Sequence, residues 1–142
     1  MNIPALLAQL EEHEGFRSSA YLDSEGYTTI GIGRLIDKRK GGGISKAEAL
    51  FLLENDVARF MKELDQKLPW WRGLSDIRQR VLVDLSFNLG VPGLLGFKNT
   101  LRAIHEGRFE DAAAGMLASK WASQVGARAH RLARMMRTDQ EA

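Results

Sequence analysis

The chain has 142 residues, of which 44% are hydrophobic and 27% charged, the composition of an ordinary globular protein. It contains no cysteine, which excludes a disulfide framework and thiolate chemistry, and its length suits one domain, or one domain in two lobes. The net charge is only +2, but the segment 120–137 carries five cations and no acid. This run is either a solvated helix face or a surface that attracts an anionic polymer such as cell wall or nucleic acid.

The N-terminal segment predicts a helix over 3–13 that ends at a glycine. Pro4 suits a first helical turn, and the leucines that follow recur at helical spacing. Gly15 ends the predicted helix, so Glu14 lies in its last turn, at the negative end of the helix dipole. That placement suits a carboxyl group that donates a proton.

Residues 20–35 change to the pattern of short strands. The sequence Asp-Ser-Glu-Gly at 23–26 is typical of a turn, and the β-branched residues after it favour a strand. Gly31 and Gly33 interrupt that strand, and glycine there permits the close approach of a ligand or of another backbone. The segment therefore predicts a hairpin that forms either the wall of a cleft or simply part of a small sheet.

Glu14, Asp23 and Thr29 supply two carboxyl groups and a hydroxyl at a helix end and a hairpin. Hydrolysis of a glycosidic bond needs a carboxylic acid that protonates the leaving oxygen. It also needs groups that hold the attacking water, a task for which a carboxylate and a hydroxyl are suited. The alternative roles are ordinary ones, because glutamate is common at exposed helix ends, aspartate in turns and threonine in strands.

The rest of the chain predicts helices. Ser45 and Glu48 form a capping box that opens a long helix over 46–68, which Pro69 stops. Further helices are predicted from Ser75 to Gly90, over 100–106 with Asn99 as the cap and Gly107 as the stop, over 109–119, and over about 127–137.

The spacing of Glu14, Asp23 and Thr29 resembles the catalytic signature of the phage-type lysozymes. The resemblance covers nearly the whole chain, through EGFRSSAYLDSEGYTTIGIG, the long capped helix, FNLG, GFKNTLR and KW in the same order. It implies an α+β, lysozyme-like fold with a small N-terminal lobe containing a β-hairpin or sheet, a long connecting helix and a helical C-terminal lobe. The single domain 1–142 would then have lobes at about 14–45 and at 69–142 plus 1–13, joined by the helix 46–68.

The same resemblance implies an activity, that of a muramidase (EC 3.2.1.17). Such an enzyme cuts peptidoglycan at the β-1,4 bond between N-acetylmuramic acid and N-acetylglucosamine. Glu14 matches the family's proton donor, Asp23 the carboxylate beside the attacking water, and Thr29 the hydroxyl that orients this water, so we expect inversion at the anomeric carbon. Arg128 matches an arginine of the far lobe that approaches the catalytic glutamate, unless it is one more solvated cation.

Three more residues are candidates for substrate contact through the matching motifs. Asn88 lies in FNLG, and Phe97 and Asn99 lie in GFKNTLR. Their alternative roles are those of a helix residue, a core residue and a helix cap. We expect no cofactor and no metal, because His105 and His130 lack the spacing of metal ligands.

The resemblance also implies a biological setting, that of an endolysin. Its substrate would be peptidoglycan, and its release from the host bacterial cytoplasm to the wall in the periplasm would need a holin, because the N-terminus lacks the basic region of a secretory signal. We expect a monomer with no nucleic acid partner and no stable membrane anchor. The alternatives are a virion-associated or bacterial wall-remodelling lysozyme and a non-enzymatic wall- or nucleic-acid-binding domain.

Overall fold

A computed structural model describes residues 1–142 and shows seven α-helices and one small antiparallel sheet, which confirms the predicted α+β class. The strands are β1 (Arg17–Leu22), β2 (Thr28–Gly31) and β3 (Arg34–Leu35). The helices are α1 (Ile3–Glu14), α2 (Lys46–Lys67), α3 (Asp76–Leu95), α4 (Lys98–His105), α5 (Phe109–Leu117), α6 (Lys120–Val125) and α7 (Ala127–Thr138).

The chain divides into two compact units, Met1–Phe51 and Leu52–Ala142, and the boundary falls inside α2. Residues 1–13 belong to the first unit in this division. The grouping of these residues with the C-terminal lobe stays a prediction. No single helix is long and apolar enough to cross a membrane. Only α3 and α4 taken together reach the length and composition of a membrane span, and the two helices are bent by 105° at the break between them.

Local chemistry sets both ends of α1. The Asn2 side chain accepts a hydrogen bond of 3.0 Å from the amide of Ala5, and a proline lies in the first turn. Gly15 ends the helix with a φ of 74°, and its amide donates to the carbonyl of Glu11. Glu14 is therefore the last residue of the helix, as its sequence position predicted.

The sheet places β2 between the other two strands, in the order β1-β2-β3. Tyr21 of β1 pairs with Thr29 of β2, and Thr29 pairs in turn with Leu35 of β3. A residue with a strand on each side is covered along both edges, and Thr29 is only 4% exposed. The position of its hydroxyl is therefore fixed by the sheet.

The start of α2 follows the predicted capping box. The Ser45 hydroxyl accepts from the amide of Glu48 at 3.1 Å, and the Glu48 carboxylate accepts from the amide of Ser45 at 2.9 Å. Glu48 also forms an ion pair of 2.6 Å with Arg34, which links β3 to the start of the helix. These hydrogen bonds and the Arg34 ion pair lower the pKa of the Glu48 carboxyl, the backbone bond from Ser45 most strongly.

The hydrophobic core lies in the second unit. Its helices α4, α5 and α7 pack together, with α3 against α7. The largest fully buried side chains are Trp71, Leu64, Leu82, Leu85, Leu94, Ile104, Met116 and Met136. On α7 the residues facing this core alternate with exposed cations at helical spacing, which is the amphipathic pattern of a surface helix.

Three helix boundaries differ from the predicted ones by two residues or more. Gly90 does break its helix, with non-helical φ and ψ of 73° and 157°, but helical turns resume afterwards up to Leu95. Asn99 is not the cap of α4, because the helix begins at Lys98 and no side chain caps it. The predicted helix 109–119 ends at Leu117, and α6 is a separate short helix that starts from the cap residue Ser119.

Candidate functional site

The turn after β1 holds the Asp23 carboxylate by two backbone hydrogen bonds. Its Oδ1 atom accepts from the amides of Glu25, at 2.9 Å, and Tyr27, at 2.8 Å. The Asp23 amide donates back to the carbonyl of Tyr27 at 2.9 Å, which closes the turn. Both bonds to the carboxylate use Oδ1, so Oδ2 has no protein donor and keeps its lone pairs for a water or a ligand.

The Thr29 hydroxyl is tied to the same turn. Its Oγ1 donates to the carbonyl of Tyr27 at 3.0 Å, so the lone pairs of the hydroxyl oxygen are left to accept a hydrogen bond. The carbonyl of Tyr27 thus accepts from both the Asp23 amide and the Thr29 hydroxyl. One backbone residue therefore fixes the positions of the carboxylate and of the hydroxyl.

Glu14 has a free carboxyl group that contacts a glycine. The side chain is exposed, and no hydrogen bond or ion pair joins it to the protein. A Cβ atom placed on Gly33 would lie 2.9 Å from Glu14 Oε2, closer than real Cβ contacts, and Gly33 has a φ of +70°. Gly33 follows β2 by two residues. The carboxyl group at the end of α1 therefore lies against the turn that leaves the strand carrying Thr29.

Tyr27 and Lys40 also build this site, and the sequence pattern did not reveal either. Lys40 Nζ donates to the Glu25 carboxylate at 2.8 Å and lies 4.2 Å from the centre of the Tyr27 ring. The hydrogen bond to Glu25 is the main cause of a raised pKa of the Lys40 amine. Lys40 thus connects both sides of the Asp23 turn to the segment after β3. The only sequence signals for these contacts were Glu25 and Tyr27, which lie in and directly after the predicted turn at 23–26.

The predicted substrate-contact residues lie in the second unit. Arg128 is exposed and pairs with Asp84, with 3.0 Å between Nε and Oδ1. The Asn88 side chain accepts a hydrogen bond of 2.6 Å from the indole of Trp121. Phe97 packs edge-on against the same indole, with ring centres 6.4 Å apart. Asn99 is exposed in the first turn of α4.

Asn88 and Phe97 are therefore held by one indole, whereas Arg128 on α7 pairs with Asp84 of α3 and Asn99 is exposed on α4. The histidines take other positions. His105 stacks on Trp70 with ring centres 4.6 Å apart, and His130 is exposed. No group of three or more histidine, aspartate or glutamate side chains forms a candidate metal site.

Comparison with known proteins gives a consistent set of relatives. A family model described as phage lysozyme matches residues 11–140. The chain is 30% identical over 94% of its length to the pre-baseplate central spike protein Gp5 of Enterobacteria phage T4, of which it spans 28%. It is 29% identical over 96% of its length to probable T4-type lysozyme 1 of Dictyostelium discoideum, of which it spans 95%.

A further phage relative is matched over a smaller share of its length. The chain is 27% identical over 90% of its length to the peptidoglycan hydrolase gp36 of Pseudomonas phage phiKMV, of which it spans 14%. The chain therefore corresponds to a part of each of these two phage proteins and to nearly all of the Dictyostelium protein.

Proposed function

The chain belongs to the phage lysozyme family, and on this premise we propose that it hydrolyses peptidoglycan at the β-1,4 bond between N-acetylmuramic acid and N-acetylglucosamine. The observation that carries the proposal is the arrangement in the first unit. There a free carboxyl group lies against the turn after β2, and a carboxylate and a hydroxyl are both fixed on the main chain of Tyr27. This set suits a glycosidase that works with one acid and one held water.

In the proposed reaction Glu14 donates its proton to the glycosidic oxygen as the bond to the anomeric carbon breaks. A water then attacks the opposite face of that carbon. It donates one hydrogen bond to Asp23 Oδ2, which takes its proton as the base, and one to the Thr29 hydroxyl. The free acceptor positions of both side chains support this role, because Oδ1 and the hydroxyl hydrogen are already used by the turn. Arg128, Asn88, Phe97 and Asn99 are proposed as supporting or substrate-binding residues.

The direct test is lysis of permeabilised Gram-negative cells, followed as loss of turbidity. Glu14→Gln keeps the shape of the side chain and removes the transferable proton, so the rate should fall by about 10²–10⁴-fold. The matched control is Glu12→Gln, which changes an exposed acid two residues earlier on the same helix and should leave the rate unchanged. Reduction of the released fragments with borohydride should label muramic acid at the new ends. A Glu14→Gln rate within tenfold of wild type, or label on glucosamine alone, would contradict the proposal.

For the biological role we propose an endolysin that stays in the host cytoplasm until a holin opens a path to the wall. Expressed alone in a Gram-negative cytoplasm, the protein should accumulate, and coexpression with a holin should cause lysis. Prompt lysis without a holin, and without leakage of other cytosolic proteins, would contradict this role.

A virion-associated role is the second candidate, because the T4 relative is named as a central spike protein. The two roles predict different locations of the protein. An endolysin should be absent from purified phage particles, whereas a virion-associated lysozyme should be detected in them by immunoblot at a fixed number of copies.

A further inference from the structure

The groups proposed to hold the attacking water depend on the main chain of one residue, Tyr27. Its amide donates to Asp23 Oδ1 at 2.8 Å, and its carbonyl accepts from the Asp23 amide at 2.9 Å and from the Thr29 hydroxyl at 3.0 Å. A residue of any type except proline could make these three bonds, because they use only main-chain groups of residue 27. The reason for a tyrosine at this position must therefore lie in its ring.

Two cations of the segment that follows β3 contact the Tyr27 ring. The ring belongs to a half-buried residue, and Lys40 Nζ lies 4.2 Å and the Arg39 guanidinium carbon 5.3 Å from its centre. Both distances are within the reach of about 6 Å that defines a cation–π contact. Thr29 is the only buried residue of the first unit, so this unit has no hydrophobic core that could hold the ring. The two cations supply contacts that a core would otherwise supply.

Lys40 touches both residues whose amides hold the Asp23 carboxylate. Those residues are Glu25 and Tyr27, which donate to Asp23 Oδ1 at 2.9 and 2.8 Å. The Lys40 ammonium donates to the Glu25 carboxylate at 2.8 Å and lies over the Tyr27 ring. One side chain therefore links the two donors of the turn to each other.

The segment that carries the cations is itself closed and bonded to the sheet. The Ile36 amide donates to the carbonyl of Thr28 on β2 at 2.9 Å. A Cβ atom at Gly42 would lie 2.7 Å from the carbonyl oxygens of Leu35 and Asp37, so only glycine lets the segment fold back this closely. The positions of the cations relative to the ring are therefore set by a loop that folds back on β3 and is bonded to β2.

We propose that Tyr27 is a positioning residue of the hydrolysis, through a ring anchored by Arg39 and Lys40 and a main chain that fixes Asp23 and Thr29. The inference rests on the proposed function, because there Asp23 Oδ2 and the Thr29 hydroxyl hold the attacking water. In this role Tyr27 touches no reacting atom. A small misplacement of catalytic groups slows the chemical step strongly, so release of the ring should lower kcat and leave substrate binding unchanged.

The first test measures kcat and KM separately, with soluble, uncrosslinked peptidoglycan strands as the substrate. Tyr27→Leu removes the ring and can still form the main-chain bonds, so kcat should fall roughly tenfold and KM should stay within about twofold of wild type. Tyr27→Phe keeps the ring that meets the cations and should retain kcat within about twofold. Equal kcat losses in the two variants, or a loss that appears in KM alone, would overturn the inference.

A double substitution tests whether the ring and the cation act together. Lys40→Gln alone should lower kcat roughly two- to fivefold, because Arg39 still meets the ring. In the Tyr27→Leu background the same substitution should change kcat by less than about 1.5-fold, since the contact it removes is already lost. Full additivity of the two losses would show that the side chains act independently and would overturn the anchoring.

Hydrogen–deuterium exchange followed by NMR measures the anchoring without catalysis. The amides at positions 25 and 27 are those that donate to Asp23 Oδ1. After correction for intrinsic rates, they should exchange roughly fivefold faster or more in Tyr27→Leu than in Tyr27→Phe, because the turn opens more often. Equal rates in the two variants, or rates that rise equally throughout the first unit, would overturn the anchoring.

The matched control is Tyr21→Leu, which removes another tyrosine of the first unit whose ring meets an arginine, with 4.9 Å between the Arg17 guanidinium carbon and the ring centre. Its kcat should stay within about twofold of wild type, and a loss equal to that of Tyr27→Leu would overturn the inference. No hydrolysis by the wild type, together with faster exchange at positions 25 and 27 in Tyr27→Leu, would refute the proposed function alone. Normal hydrolysis by the wild type, with unchanged exchange in Tyr27→Leu, would refute the positioning role alone.

Discussion

The two units of the molecule are ordered by different interactions. In the first unit Thr29 is the only buried residue. The turns of this unit are fixed by hydrogen bonds and by glycines with positive φ. The second unit contains all twenty buried hydrophobic residues, from Leu64 to Met136. The side chains proposed for catalysis thus lie in the unit whose conformation depends on a few local hydrogen bonds, and the buried apolar side chains lie in the other unit. Substitutions in the first unit should therefore change activity more than stability, and core substitutions in the second should do the reverse.

After Glu14→Gln, the largest effect should come from Asp23→Asn. The amide oxygen still accepts from Glu25 and Tyr27, so the turn should persist, but the base that takes the proton of the water is lost. We expect a decrease of about 10²-fold or more in lysis rate with an unchanged melting temperature. Asp37→Asn is the control, because Asp37 also accepts a hydrogen bond from a nearby backbone amide in a turn of the first unit. Similar rates in the two variants would remove Asp23 from the mechanism.

The stability of the second unit should be sensitive to its core. Leu85 is fully buried in α3, and Leu85→Ala should lower the free energy of unfolding by about 2–5 kcal/mol. Leu22, on β1, is 68% exposed, and Leu22→Ala should change the free energy by less than about 0.5 kcal/mol. Urea denaturation followed by circular dichroism measures both. A comparable loss in the two variants would show that the contrast between the units does not hold.

A smaller effect on activity is expected for Gly33→Ala. The added Cβ would lie 2.9 Å from Glu14 Oε2 and should displace the carboxyl group, so the lysis rate should fall roughly ten- to hundredfold. Gly41→Ala imposes similar backbone strain, because Gly41 has a φ of +68°, but its Cβ would meet no atom within 4 Å. The comparison of the two variants separates the displaced carboxyl from general strain, and equal rates would mean that the Glu14 contact is unimportant.

The smallest effect should follow from Lys40→Gln. It removes the cation that joins Glu25 to the Tyr27 ring, and exposed contacts of this kind are weak, so we expect a decrease of roughly two- to fivefold in lysis rate. Lys38→Gln serves as the control, because the Lys38 side chain has no ion pair. A loss of the same size in both variants would point to general wall attraction by the basic segment instead of support of the turn.

Local features of the sequence predicted local structure well. The Ser45–Glu48 capping box, the end of α1 at Gly15 and the turn at 23–26 each depend on residues within four positions of one another, and each prediction was confirmed. The prediction of Asn99 as a cap was wrong although asparagine is a common cap residue. The amide of Leu101 donates to the carbonyl of Phe97 at 2.8 Å, which starts the helix before Asn99.

Local sequence patterns did not predict contacts between residues that are far apart in the chain. The Lys40–Glu25 bond joins residues 15 positions apart, and the Trp121–Asn88 bond joins residues 33 apart. The contact of Gly33 with the Glu14 carboxyl likewise depends on how the helix and the sheet meet, which no periodicity encodes. The sequence predicted only that Gly31 and Gly33 permit the close approach of a ligand or of another backbone. A Cβ at Gly31 would meet no atom within 4 Å, and the atoms that a Cβ at Gly33 would meet belong to the Glu14 side chain. The catalytic roles of Glu14, Asp23 and Thr29 stay predictions that only activity measurements test.

The central claim is that the Asp23 turn holds a water that attacks in a single displacement. The most direct test is proton NMR of peptidoglycan fragments recorded immediately after cleavage, before mutarotation equilibrates the new reducing ends. The linkage is β, so attack by water on the opposite face predicts that the α-anomer forms first. An initial β-anomer, or a glycosyl adduct trapped on Asp23, would contradict the claim, because either would make Asp23 the nucleophile of a double displacement.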